Sequence, residues 1–191
     1  MIAAISLMRR LDGVGLAEFR RHWLDIHGPL VQSFAGLRRY VQCHVIDNPA
    51  TNTAARALGI DGFPILFFDN DEDRKLAHGS PAMAACNIDS REFIGAVSRV
   101  MTAPVEIVPG QGGRLSAIVL ATAFPPVKVA GLTRFDVLSQ GPAPASTVPH
   151  LPVTVPGVFH ARFDSLVELE AAMAGVSDPV FVVEEHWLPP T

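Results

Sequence analysis

Cysteine is scarce in this 191-residue chain: Cys43 and Cys86 stand alone, with no spacing of a disulfide framework or a zinc site. Both read as reduced, buried thiols, which makes a cytoplasmic location the default expectation. Charge is scarce too. Only 18% of residues are Asp, Glu, Lys or Arg, against about 25% in typical soluble domains, and the net charge of −4 provides no basic excess for nucleic acid. Long hydrophobic runs are missing. Leu115–Phe124 contains Ser116 and Thr122 and stops at Pro125-Pro126, well short of the roughly 20 residues a membrane helix needs. Met1–Met8 is apolar but meets Arg9-Arg10 where a secretory signal would have to continue, and reads as a strand. There is no Gly-x-x-x-x-Gly-Lys-Ser/Thr loop, no Gly-x-Gly-x-x-Gly after a strand and no Gly-x-Ser-x-Gly elbow. The 7 histidines include no His-x-x-x-His pair, so neither a metal nor a cofactor is expected. What is abundant is apolar surface, at 49% of residues. A chain this apolar cannot stay solvated and unfolded.

A repeat appears at a shift of 95 residues: Gly36-Leu37-Arg38-Arg39-Tyr40 matches Gly131-Leu132-Thr133-Arg134-Phe135, and Phe68-Asp69-Asn70 matches Phe163-Asp164-Ser165. In the first copy Ile2–Met8 reads as a strand. Leu16, Phe19, Trp23, Ile26 and Leu30 recur at helical spacing, with His27-Gly28-Pro29 as the stop. Leu37–Ile46 and Phe63–Phe68 follow as strands, Asp71–Met83 and Ser90–Met101 as helices, and Val105–Val108 as a fourth strand. In the second copy Leu115–Ala123, Leu132–Leu138 and Val158–Phe163 are strands, Leu166, Leu169 and Met173 mark a helix, and Val180–Trp187 is the last strand. Its first helix has no room, and a stretch with prolines 142, 144, 149, 152 and 156 lies between its second and third strands. The fold class is α+β: a ferredoxin-like β-α-β-β-α-β unit in residues 1–110 and a degenerate copy in 111–191, with Pro109–Arg114 as linker. Each unit leaves one sheet face bare, so the two should bury these faces against each other as a pseudo-dimer, with a further homodimer left open.

Phe19-Arg20-Arg21-His22-Trp23-Leu24-Asp25-Ile26-His27-Gly28-Pro29-Leu30, with Gly36–Gln42 after it, resembles the N-terminal signature of EthD-like proteins of the dimeric α+β barrel superfamily. Phe163-Asp164-Ser165 and Val182-Val183-Glu184-Glu185-His186 resemble the later strands of the same family. The resemblance implies small-molecule catabolism, through superfamily relatives that isomerise lactones, cyclise or oxidise polyketides, or dehydrate. The chain departs from the family in keeping one N-terminal motif and one C-terminal motif, on different copies, so one site at most is expected.

Several side chains could carry chemistry. His27 and Trp23, four apart, share a helix face: His27 is either a general base beside a Trp23 wall or a cap on the helix end. Tyr40, Gln42 and His44 alternate with Val41, Cys43 and Val45 along one strand. The polar set is expected to face the barrel interior and the apolar set the helices, although the matching strand of copy two has the opposite parity, with Phe135 and Val137 apolar. His160 and Arg162 should also point inward, and His186 has Glu184 on its own face and Glu185 on the other. His27 or His44 would then move a proton while Tyr40 or Arg134 binds an oxyanion. Trp23, Gln42, Arg134, His160, Arg162 and His186 would line the substrate, a small apolar or aromatic oxygenated molecule. A non-catalytic ligand binder and a solid-packed assembly protein remain as alternatives.

Overall fold

The computed structural model describes residues 1–110, 113–126, 129, 131–142 and 146–191. Eight strands close into one barrel: β1 (Ile2–Arg10), β2 (Leu37–Val45), β3 (Gly62–Phe68), β4 (Ile94–Val108), β5 (Leu115–Leu120), β6 (Leu132–Gly141), β7 (Val158–Phe163) and β8 (Val180–Leu188). Their order around the barrel is β1-β3-β2-β8-β5-β7-β6-β4, every neighbouring pair antiparallel. Opened at β2–β8 and at β6–β4, the barrel gives β4-β1-β3-β2 and β8-β5-β7-β6, the same fourth-first-third-second order twice. Strand β6 starts 95 residues after β2, and β7 ends 95 after β3. The helix α6 (Leu166–Met173) begins and ends 95 residues after α4 (Asp71–His78). The ladders β2–β8 and β4–β6 join the halves. Closure leaves no open edge in either sheet, which removes the pairing hazard that each sheet would otherwise present.

The remaining helices lie almost entirely on the first half. Helix α1 (Leu16–His22) runs without a break through a π-turn, Trp23–His27, into α2 (Gly28–Gln32). Gly28 does not stop the helix: its φ of −54° is helical, and Pro29 sits in the first turn of α2, where a missing N–H costs nothing. The expected helix Asp71–Met83 is two, α4 and α5 (Pro81–Asp89). They are divided at Gly79-Ser80, where Ser80 caps the Met83 amide. A short α3 (Thr53–Leu58) starts at Asn52, whose side chain accepts from Ala55 N. No helix stands between β5 and β6 among the described residues. None of the described helices is long and apolar enough to cross a membrane.

Two expectations are corrected. The stretch 90–101 is not a helix: a single turn at Ser90–Glu92 precedes β4, which starts at Ile94. Phe93, Ile94, Val97 and Val100 have helical spacing because β4 is buried on both faces and bulged against β1, where Arg9 pairs Ala96 but Arg10 pairs Ile94. The second correction concerns β2. Val41 and Cys43 belong to the barrel core with Ile5, Ile65, Phe67, Phe135 and Phe181, while Tyr40 packs outward with Phe34, Phe68 and Met83 beneath α2, α4 and α5. The polar set therefore meets the helices and the apolar set fills the barrel. A bulge explains the parity clash between the copies. Leu37 pairs Phe68 and Arg39 pairs Phe67, so Arg38 is an extra residue that reverses the faces of everything after it. Phe135, 95 residues on from Tyr40, consequently points inward. Phe63 and Phe181 meet edge-to-face at 4.9 Å inside the barrel, and a cavity of about 260 Å³ lies against Val41, Ile65, Phe67 and Phe135 at one end of it.

Candidate functional site

The π-turn and a glycine together seat the ring of Trp23. A Cβ at Gly62 would lie 2.3 Å from Trp23 Cζ3, so only glycine lets the indole lie flat on β3. The indole is fully buried, and its Nε1–H donates to Tyr40 Oη at 3.0 Å. Gln42 Nε2 donates to the Trp23 carbonyl at 2.9 Å and to Tyr40 Oη at 3.0 Å. Since the Trp23 carbonyl can only accept, the Gln42 amide orientation is set, and its Oε1 must accept from His44 Nε2 at 2.8 Å. The His44 ring stacks flat on Trp23 at 4.3 Å, with His186 at 4.6 Å on its other side. Burial first, then the neighbouring His186 and Arg20, push His44 down to about 3. His44 is thus a neutral donor. Burial outweighs the two donated bonds and holds the Tyr40 hydroxyl well above its ordinary value. Tyr40 stays protonated, with both oxygen lone pairs occupied.

Tyr40 and His27 line one cavity between β1, β3, β4 and the helices, with Met83, Cys86, Ser90 and Arg99. It encloses about 80 Å³ and is open at its mouth. His27 Nδ1 lies 2.8 Å from Asp89 Oδ2, and His22 Nε2 lies 2.9 Å from Oδ1. Burial tends to raise the Asp89 carboxyl, but hydrogen bonds from His27 and His22 prevail and hold it below its ordinary value. In that bond Nδ1–H donates to the carboxylate, which leaves Nε2 as the free ring nitrogen. The His27 ring thus reaches Asp89, at the end of α5, instead of the carbonyls of its own helix. On the far wall Arg99 Nη1 donates to His78 Nε2 at 2.8 Å. Burial, then the charges of Arg99 and Arg74, lower His78 to about 4, and burial lowers Arg99 to about 10. Ser146 and Val148, from the proline-rich stretch, complete the lining. Backbone bonds from Val97 N to the Pro149 carbonyl and from Leu151 N to the Val97 carbonyl fasten that stretch to β4.

A second polar cluster lies inside the barrel mouth. Glu185 is fully buried, accepts from Ser116 Oγ, and has His160 Nε2 at 2.8 Å and Arg162 Nε at 3.1 Å. Burial would raise its carboxyl, but His160, Arg162 and Ser116 bring it to about 2. Trp187 Nε1 donates to its other oxygen at 2.9 Å. Arg39 lies over Phe67 at 3.7 Å at the rim.

The sequence-predicted residues thus separate into three places. His27 and Tyr40 line the cavity, with Trp23, Gln42, His44 and His186 stacked behind Tyr40. His160 and Arg162 point into the barrel as expected, but onto Glu185. Arg134 does neither: it pairs with Asp136 at 2.6 Å on the outer surface, both about half exposed. His186 meets His44 rather than Glu184. Arg99, Asp89 and His78 were not anticipated. Arg99 was hidden by reading β4 as a helix, and the one available signal was a lone arginine among Val97, Val100 and Met101. Among the described residues no cluster of three or more His, Cys, Asp or Glu is arranged to hold a metal ion.

Residues 11–96 match the EthD domain family. A crystal structure of an anthrone oxidase-like protein superposes at a TM-score of 0.63 with 9% identity, covering 100% of this chain and 96% of that one. A candidate monooxygenase from Lactobacillus acidophilus NCFM gives 0.50 with 10% identity, covering 99% and 96%. An ethyl tert-butyl ether D (EthD) family protein from Bacillus halodurans C-125 gives 0.44 with 19% identity, covering 53% and 95%. No curated protein matches the sequence. At these identities the full-length likenesses show the fold alone, an eight-stranded α+β barrel in one chain.

Proposed function

From a chain that carries an EthD domain in residues 11–96, we propose an enzyme of small-molecule catabolism that moves a proton on a small, largely apolar or aromatic oxygenated substrate. The observation that carries this reading is Tyr40. Its oxygen accepts from both Trp23 Nε1 and Gln42 Nε2, so its own proton has only the cavity to serve. A hydroxyl polarised by two donors is a preorganised partner for an oxygen that gains negative charge. His27, oriented by Asp89, lines the same cavity as the base. A substrate carbonyl on Tyr40 would bring its adjacent C–H towards His27 Nε2. The base takes the proton, the electron pair moves onto the carbonyl oxygen as an enolate, and return of the proton to another atom completes an isomerisation. Expulsion of a leaving group from the neighbouring carbon makes the same step an elimination.

The names of the structural neighbours support small-molecule redox or group chemistry on related scaffolds and stop there. We also propose that residues 1–110 and 111–191 are a fused pair of units. The doubled strand order and the shared 95-residue spacing of β2, β3 and α4 with β6, β7 and α6 support it.

The test is proton exchange in D2O, followed by NMR, over a panel of small aromatic ketones and lactones. The expected result is exchange at the carbon beside the carbonyl that His27→Asn and Tyr40→Phe each slow by about 100-fold. Unchanged exchange in His27→Asn would overturn the reading.

A further inference from the structure

Side chains two apart on a strand share a face. Arg39 therefore points the same way as Val41, and Thr133 the same way as Phe135, into the barrel. Arg162 follows Val158 and His160 on β7 in the same sense. All of these except Val158 line the cavity of about 260 Å³ at the end of the barrel, on the opposite face of β2 and β3 from Tyr40. The Arg39 guanidinium lies 3.7 Å from the centre of the Phe67 ring, itself part of the cavity wall, and 5.2 Å from the Trp187 ring. Arg162 lies 5.1 Å from the same indole. A guanidinium held over a ring keeps its N–H groups free to donate.

Two guanidiniums thus share this end of the barrel, and its buried carboxylate is already committed. Glu185 is held by Ser116 Oγ, His160 Nε2, Arg162 Nε and Trp187 Nε1. Arg162 uses only Nε there; its two Nη atoms are not sealed from solvent and have no hydrogen-bond partner among the described residues. Arg39 is exposed and has no carboxylate within ion-pair distance among the described residues. Glu106, also in the lining, is exposed near the end of β4 and pairs with neither arginine. Burial first, then the charge of Arg162, lower Arg39, and Glu185 offsets them only in part. Like charges beside an apolar wall are relieved by an anion. We propose that the open end of the barrel is a second ligand site, which takes an amphipathic organic carboxylate. The carboxylate accepts from Arg39 and the Nη groups of Arg162, as its two oxygens suit guanidinium N–H groups. The apolar body lies inward against Val41, Ile65, Phe67 and Phe135. A compact inorganic anion would leave that wall wet. The site stands apart from the Tyr40 cavity and does not rest on the catalytic reading.

Octanoate is the probe, with octan-1-ol as the same chain without the charge and acetate as the charge without the chain. Calorimetric titration of the full chain at neutral pH should show octanoate binding. Octan-1-ol should bind roughly tenfold more weakly, and acetate more than about 100-fold more weakly, at ~0.8 kcal/mol per buried methylene. Arg39→Met should weaken octanoate about tenfold, and Arg39→Lys, which keeps the charge but not the planar fork, should fall between. In methyl NMR of the wild type, octanoate should shift Val41 and Ile65 and leave Met83 in place. Absence of octanoate binding, equal binding of octan-1-ol or of acetate, or undiminished binding by Arg39→Met each overturns the site. So does a shift at Met83 without one at Val41 and Ile65, and this readout decides the matter should the Arg39 variants fail to fold.

Discussion

Trp23 Nε1 donates to Tyr40 Oη across 3.0 Å, joining a helix residue to a strand residue in the buried layer between them. That bond, with its companion from Gln42, sets what the single tyrosine of this chain can do. An oxygen that already accepts twice has only its proton left to offer, and Tyr40 lines the cavity. The row His44, Gln42, Tyr40 is a chain of donors, each polarising the next.

Tyr40→Phe removes the shared acceptor and leaves two buried donors unmet. The expected loss is about 1–3 kcal/mol of folding stability, measured by urea denaturation, beyond any effect on chemistry. A variant as stable as the wild type would show that the donor chain does not hold the layer together.

His44 should remain uncharged through the physiological range. Its folded-state value of about 3 lies below the ordinary 6.5, so between those values the unfolded chain binds the extra proton. The histidine's contribution to stability is complete above about pH 6.5 and is lost progressively as pH falls towards 3. NMR titration of the ring should show no protonation from pH 8 to pH 5. A midpoint above 6 would place His44 in water, contrary to its stacking between Trp23 and His186.

Glu185 gives the barrel its own acid sensitivity. Its folded-state value of about 2 is below the ordinary 4.5, so its contribution is present above that ordinary range and fades as pH falls towards 2. Glu185→Gln leaves Arg162 buried beside a neutral amide and should cost about 3–5 kcal/mol at neutral pH, the usual consequence of removing one partner of a buried pair. The variant should also lose the wild-type slope of stability against pH in that window, as read by denaturation at several pH values.

Gly62→Ala tests the seat of Trp23. The new methyl would meet the indole at 2.3 Å, and β3 has no slack, being paired on both sides. The expected cost is about 1–3 kcal/mol, with a changed Trp23 emission read in a Trp187→Phe background. Unaltered emission and stability would mean that the indole does not lie over Gly62.

Much of the architecture was legible because it is written in short-range pattern. The stripe Leu16, Phe19, Trp23 forecasts a helix face, and Phe19 and Trp23 are indeed its buried residues. The 95-residue shift forecasts two halves, and β2, β3 and α4 recur in β6, β7 and α6 at that spacing. His27 and Tyr40, both singled out in the sequence, line one cavity.

What stayed hidden depends on which partner a segment finds. Residues 94–101 carry a helical spacing, but the open edges of β1 and β6 recruit them as a strand, because the hydrogen bonds of two ladders outweigh a local preference. One extra residue, Arg38, decides whether Tyr40 faces barrel or helix, since a strand turns over every side chain when its register slips by one. The lining by Ser146 and Val148 arises from a segment about forty residues beyond the end of β4 in sequence that joins it only through tertiary contact. By itself the sequence determined most of the elements and the 95-residue spacing that two sets of them share. Tertiary pairing alone decided their faces, and so placed Tyr40 in the layer outside the barrel and Val41 and Cys43 in its interior.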